Sequence, residues 1–168
     1  GDFYDFYAFS DGRLGIVIAD VSGKGMPAAL LMANARSIWR AEARKGQDPA
    51  ETLAHVNRAL CQDIHTDAFV TLLYTILNPK TRHIHLSSAG HPLPLLHNDG
   101  NVQEIEIYGL PLGLEPNATY QEVHRTLSAG DTLLLYTDGV TESLNLSREL
   151  FGLERVVNLL QAQDQYTS

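Results

Sequence analysis

Acidic residues stand at three places where a run of strand-forming residues begins or ends: Asp2 with Asp5, Asp20 after Leu14-Gly-Ile-Val-Ile-Ala19, and Asp138 after Leu133–Tyr136. A strand end holds a side chain at a rim with fixed backbone behind it, which suits a preorganised cation site. Hard divalent ions such as Mg²⁺ and Mn²⁺ take carboxylate, carbonyl and water oxygens, and a rim of aspartates supplies them. The histidines (His55, His65, His83, His85, His91, His97 and His124) form no HExxH or other helical pair, and Cys61 has no cysteine partner. Their spacing argues against a zinc site. Gly23-Lys24-Gly25, just ahead of a helix start, offers backbone N–H groups to a phosphate. It is no nucleotide P-loop, because the glycine required five residues before the Gly-Lys pair is replaced by Ile18. Plain structural roles stay open for the same residues: Asp-Gly at 11–12, 99–100 and 138–139 reads as hairpin-turn chemistry, and Asp20 can cap a loop.

The elements that must position these residues are legible from period and punctuation. Phe3–Tyr7 and Leu14–Ala19 around Asp11-Gly12 predict a hairpin. A helix is expected from Pro27 to Arg44, closed by Gly46. Asp48-Pro-Ala-Glu51 predicts a capped start for a second helix reaching Asp63, with Leu53, Val56, Leu60 and Ile64 as its buried stripe. Strands follow: Phe69–Leu77 and His83–Ser87 as one hairpin, Leu93–His97 and Val102–Ile107 as another, then Glu122–Leu127 and Thr132–Tyr136. A last helix is expected over Leu153–Gln163, with Val156, Val157 and Leu160 inward. Strands and helices do not alternate as in a parallel sheet, so the expected class is α+β with antiparallel sheets covered by helices.

The chain has 168 residues, 44% of them hydrophobic, the size of one domain with a substantial core. Net charge is −8, from 20 acidic against 12 basic residues, and the Lys and Arg are scattered. Nucleic-acid binding, which needs a concentrated basic footprint, is thereby disfavoured. Apolar runs fall far short of the roughly 18 residues a membrane span requires. With one cysteine and no leader-like start, a cytoplasmic location is expected.

Gly1-Asp-Phe-Tyr-Asp5, Asp20-Val-Ser-Gly-Lys-Gly25 with Ala28-Ala29, Ser88-Ala-Gly-His-Pro92, Gly109-Leu-Pro-Leu-Gly113 and Tyr136-Thr-Asp-Gly-Val-Thr-Glu142 follow one another in order across nearly the whole chain. In this the sequence resembles the stage-II-sporulation-E and sigma-B-regulator branch of the PP2C-like (PPM) phosphatases. The resemblance implies an αββα sandwich, two antiparallel sheets flanked by helices, over a single domain of residues 1–168 truncated at both ends. It implies hydrolysis of phosphoserine or phosphothreonine by metal-activated water at two Mn²⁺ or Mg²⁺ ions. Asp2, Asp20, the Val21 carbonyl and Asp138 are then metal ligands, with Asp20 and Asp138 catalytic and Asp20 bridging the ions. Asp5 ranks second, since strand parity puts it on the opposite face. Gly23, Lys24 and Gly139 are the expected substrate-binding positions.

Two departures accompany the likeness. Ser22 stands where eukaryotic-type relatives carry a histidine, and His91 is expected to be structural. The family continues into a further segment with another metal-binding Asp, for which Asp164 lies too early, so the second ion is expected to be weakly held. The implied partners are a phosphorylated STAS-type anti-anti-sigma substrate and, acting on the helix after Asp20, a sensory or receiver domain in the parent protein or a second copy of the chain. Arg36 and Arg40 on that helix are expected to face water. The alternative function is a catalytically silent PP2C-like module that binds a regulator.

Overall fold

The computed structural model describes residues 1–64 and 68–162; the expectations attached to His65, Gln163 and Asp164 lie outside the described residues. The chain divides into two compact units, Gly1–His91 with Ile107–Leu127, and Pro92–Glu106 with Ser128–Ser168.

The first unit is built on a fully antiparallel sheet. Its strands β1 (Asp2–Ala8), β2 (Leu14–Val21), β3 (Val70–Asn78), β4 (His83–Ala89) and β7 (Val123–Thr126) lie in the order β1-β2-β3-β4-β7. Successive side chains alternate between faces. Phe3, Val17, Ala19, Val21, Val70, Leu72, Tyr74 and Ile76 therefore gather on one face, where helices α1 (Gly25–Ala43) and α2 (Pro49–Asp63) cover them. Trp39 of α1, fully buried, meets Tyr74 edge to face at 5.5 Å between centroids. Truncating such a side chain to alanine costs about 3–5 kcal/mol.

α1 begins two residues before Pro27, a boundary shift of ordinary size. α2 begins as expected, but its cap differs. Asp48 makes no side-chain cap, and Glu51 accepts from Gln47 Nε2 at 2.5 Å instead of closing a capping box. The Ala50 N–H in the first turn donates to Glu122 Oε1 at 3.1 Å, so a residue next to a distant strand does the capping.

The second unit holds the sheet β6-β5-β8, with β5 (Leu95–Asn98), β6 (Asn101–Glu104) and β8 (Thr132–Leu134), and the helices α3 (Asp138–Thr141) and α4 (Leu153–Gln161). Leu95, Tyr136, Val156 and Leu160 form its core, with Val157 partly buried. Asp11-Gly12 and Asp99-Gly100 lie in hairpin connections as predicted. Asp138-Gly139 does not: it opens α3 after Thr137. Among the described residues no helix is long and apolar enough to cross a membrane.

Candidate metal centre

β1 and β2 pair so that Asp2 lies directly opposite Asp20. Two carboxylates in that relation repel each other unless a cation or proton intervenes. The Asp20 carboxyl is pushed above the usual carboxylate range, first by desolvation and then by its hydrogen-bonded approach to Asp2, with the Gly1 ammonium pulling the other way. That ammonium lies 3.3 Å from Asp20 Oδ1 and donates to the Val21 carbonyl at 2.9 Å. The donor set is all oxygen, which suits Mg²⁺ or Mn²⁺.

After Val21 the chain turns sharply. Gly23 has φ of 90°, a conformation a side chain would strain, and this lets Ser22–Lys24 swing the chain into α1. Ser22 braces the turn: its Oγ accepts from the Phe69 N–H at 2.8 Å and its own N–H donates to Phe69 O at 3.0 Å. Lys24 is the N-cap residue of α1 and supplies no side-chain cap, and no acidic residue stands in the first turn. The first N–H groups of α1 thus present a partial positive charge beside a lysine. Among the described residues, a cavity of about 620 Å³ opens here, lined in part by Ser22, Lys24, Pro27, Leu30 and Asn34.

The motif around His91 acts behind this loop. Thr71 is the cross-strand partner of Asp20, and its Oγ1 lies 3.4 Å from the Asp20 carbonyl and 3.0 Å from His91 Nδ1. A hydroxyl carries one proton. If Thr71 gives it to Asp20, the buried His91 must donate from Nδ1, which fixes its tautomer. His91 is thus buried behind the loop, within hydrogen-bond distance of Thr71. The glycines of the Gly-Leu-Pro-Leu-Gly motif explain themselves in the same region. A Cβ on Gly109 would collide with the Ser88 carbonyl, so backbone passes directly against backbone. Leu112 then bridges to Val70, and the fully buried Asn57 accepts from the Gly113 N–H at 2.9 Å and donates to Glu115 O at 2.7 Å. Sequence reading missed Asn57, which sits at a core position of α2 with only its amide as a signal.

Asp5 is placed elsewhere. It pairs with Val17, on the face that carries the helices, and its Oδ2 meets Arg40 at 2.6 Å and Arg36 at 3.0 Å. Burial alone would raise its carboxyl, but the Arg40 hydrogen bond, the Phe6 N–H and the Arg36 charge outweigh it and hold the group below the usual range. The two arginines are therefore partners of β1, and the expectation that they only face water fails. Asp138 and Gly139 belong to the second unit, both exposed in the first turn of α3. Thr141 Oγ1 and the Glu142 N–H donate to the Asp138 carbonyl at 3.2 and 2.7 Å, which fixes the backbone there.

Comparison with known families gives a match to the model for stage II sporulation protein E over residues 10–167. The chain belongs to the stage II sporulation protein E family. This family member is 33% identical to phosphoserine phosphatase RsbU of Bacillus subtilis over 144 residues, 84% of the chain and 43% of that protein. Its fold matches the RsbU and RsbW domains of a Mycobacterium tuberculosis protein at TM-score 0.84 and 30% identity, covering 96% of this chain and 46% of that one. It also matches the SiaA-PP2C domain of Pseudomonas aeruginosa at TM-score 0.81 and 25% identity, covering 95% of this chain and 65% of the other. The α+β class with antiparallel sheets and helices is that of the PP2C-like structures. The family member spans less than half the length of the curated relatives it matches.

Proposed function

We propose that the chain is the catalytic domain of a metal-dependent protein phosphatase that hydrolyses phosphoserine or phosphothreonine on a regulatory phosphoprotein. The observation that carries this reading is the cross-strand pair Asp2–Asp20, with the Val21 carbonyl beside it, at the mouth of the Gly23–Lys24 turn. In this reading Asp2, Asp20, Val21 O and Asp138 hold Mn²⁺ or Mg²⁺, with the second ion the weaker. When bound there, such ions would supply a water of lowered pKa and charge stabilisation for phosphoryl transfer. The chain's own contribution is placement. Thr71 and His91 fix the Asp20 backbone, Ser22 braces the turn, and Lys24 with Gly23, the α1 N-terminus and Gly139 receives the phosphate. The apolar side of the adjoining cavity takes the residues that flank it.

The likeness to the sigma-factor regulators supports a STAS-type anti-anti-sigma protein as substrate. α1 leaves directly from the Asp20 turn and exposes Met26 and Leu30, at 71% and 65%. A sensory domain or a second copy pressing on that helix would order the site. Asp5, held by two arginines, serves as the anchor of α1 on β1.

The test is hydrolysis of a phosphoserine peptide or para-nitrophenyl phosphate with Mn²⁺, with EDTA, and by Asp20→Asn. Turnover is expected only with Mn²⁺ and is lost in the variant. An absence of Mn²⁺-dependent turnover, with the regulator-binding partner still bound, would instead favour a silent module.

A further inference from the structure

The far edge of the five-stranded sheet carries a second set of metal-ligand side chains, outside the aspartate rim. β7 is an edge strand whose His124 lies directly opposite His85 of β4. Opposed residues project to the same face, and the two imidazoles stand 4.2 Å apart between centroids. Glu122, just before β7, brings its Oε2 to 3.4 Å from His124 Nε2. One ligand atom from each of the three lies within 4.8 Å of the others. Around a tetrahedral ion bound at about 2.1 Å, donor atoms are about 3.4 Å apart, a gap that small rotations of these side chains close.

Glu122 is also steadied from behind. Its Oε1 accepts the Ala50 N–H at the start of α2, which leaves Oε2 for a ligand. Carboxylate ligands held this way by an outer partner are the rule at metal sites. Glu122 is largely covered, at 18% side-chain exposure, whereas His124 is 58% exposed. A fourth coordination position therefore faces solvent. Two imidazoles and one carboxylate favour zinc, copper or nickel over the hard ions suited to the aspartate pair. Strand spacing and the step from Thr71 to Ile76 along β3 put the two places roughly 20 Å apart within one sheet.

We propose that His85, Glu122 and His124 form a binding site for a divalent transition ion of the zinc class, independent of the phosphatase reading, which fastens β7 to β4 and to the N-terminus of α2. A surface ring contact without metal affinity is the competing reading.

The experiment is calorimetric titration of the EDTA-stripped chain with Zn²⁺, repeated by electron paramagnetic resonance with Cu²⁺. One equivalent is expected to bind in wild type and equally in Asp20→Asn, with nitrogen coupling from two imidazoles. Affinity should fall at least tenfold in His85→Ala and in His124→Ala. Glu122→Gln keeps an acceptor for Ala50, so it should weaken Zn²⁺ binding while leaving the metal-free melting temperature in place. Binding that vanishes in Asp20→Asn, persists in both histidine variants, or is undetectable in a folded wild-type chain overturns the proposal.

Discussion

The two edges of the first unit's sheet use the same backbone device for different ends. At one edge β1 and β2 set Asp2 opposite Asp20; at the other, β4 and β7 set His85 opposite His124. Antiparallel register alone brings each pair together, and side-chain chemistry then selects the guest: oxygen donors for a hard ion, imidazoles for a borderline one. The edges also differ in what stands behind them. The aspartate edge is backed by Thr71, His91 and a glycine-tight backbone crossing, the histidine edge by the start of α2, which steadies Glu122. A site that must perform chemistry needs that deeper support, and a site that only binds does not.

The contrast breaks most visibly in activity. Asp20→Asn should lower Mn²⁺-dependent phosphopeptide turnover by about a thousandfold, in line with losing several kcal/mol of metal-borne stabilisation, while His85→Ala leaves it unchanged. Steady-state kinetics on the two variants side by side decides this.

Gly109→Ala tests the support behind the aspartate edge. With its Cβ aimed into the Ser88 carbonyl, the variant should lose about 2–4 kcal/mol in urea unfolding. Retained stability would show that the crossing yields. Thermal shifts sharpen the division of ions: at a hundredfold excess over Kd, each ion should stabilise by about 2.7 kcal/mol. The Zn²⁺ shift should vanish in His85→Ala and survive Asp20→Asn.

The smallest effect is a pH slope, and the β1–β2 hairpin carries both signs of it. Asp20 has a raised folded pKa, so metal-free folded protein holds an extra proton, and its stability falls as pH rises through that value. Asp5 has a lowered one, so its contribution is present above the ordinary carboxylate range and is lost as pH falls through the folded value. Chemical unfolding of EDTA-treated protein between pH 3 and 7 should show the first slope flattened by Asp20→Asn and the second by Asp5→Asn.

What the sequence disclosed follows the range of the interactions involved. The hairpins β1–β2, β3–β4 and β5–β6 are local and were legible from alternation and turn residues, and α2 from its apolar stripe. The destinations of β7 beside β4 and β8 beside β5 are set by long-range packing, which no local pattern encodes. This is why the histidines looked dispersed: His85 and His124 are neighbours only once β7 has found β4. Asp138-Gly139 shows the opposite failure, where turn chemistry gave way to a short helix. Asp5 was separated from Asp2 by parity alone, and the structure adds the arginines that hold it.

The central claim is that Asp2 and Asp20, opposed across β1 and β2, hold the cation on which turnover depends. Mn²⁺ titration followed by electron paramagnetic resonance, run on wild type, Asp2→Asn and Asp20→Asn, tests it most directly. The account predicts that both variants bind Mn²⁺ more weakly, by tenfold or more, and lose turnover together. Wild-type Mn²⁺ affinity and wild-type Mn²⁺-dependent turnover in both variants would contradict it.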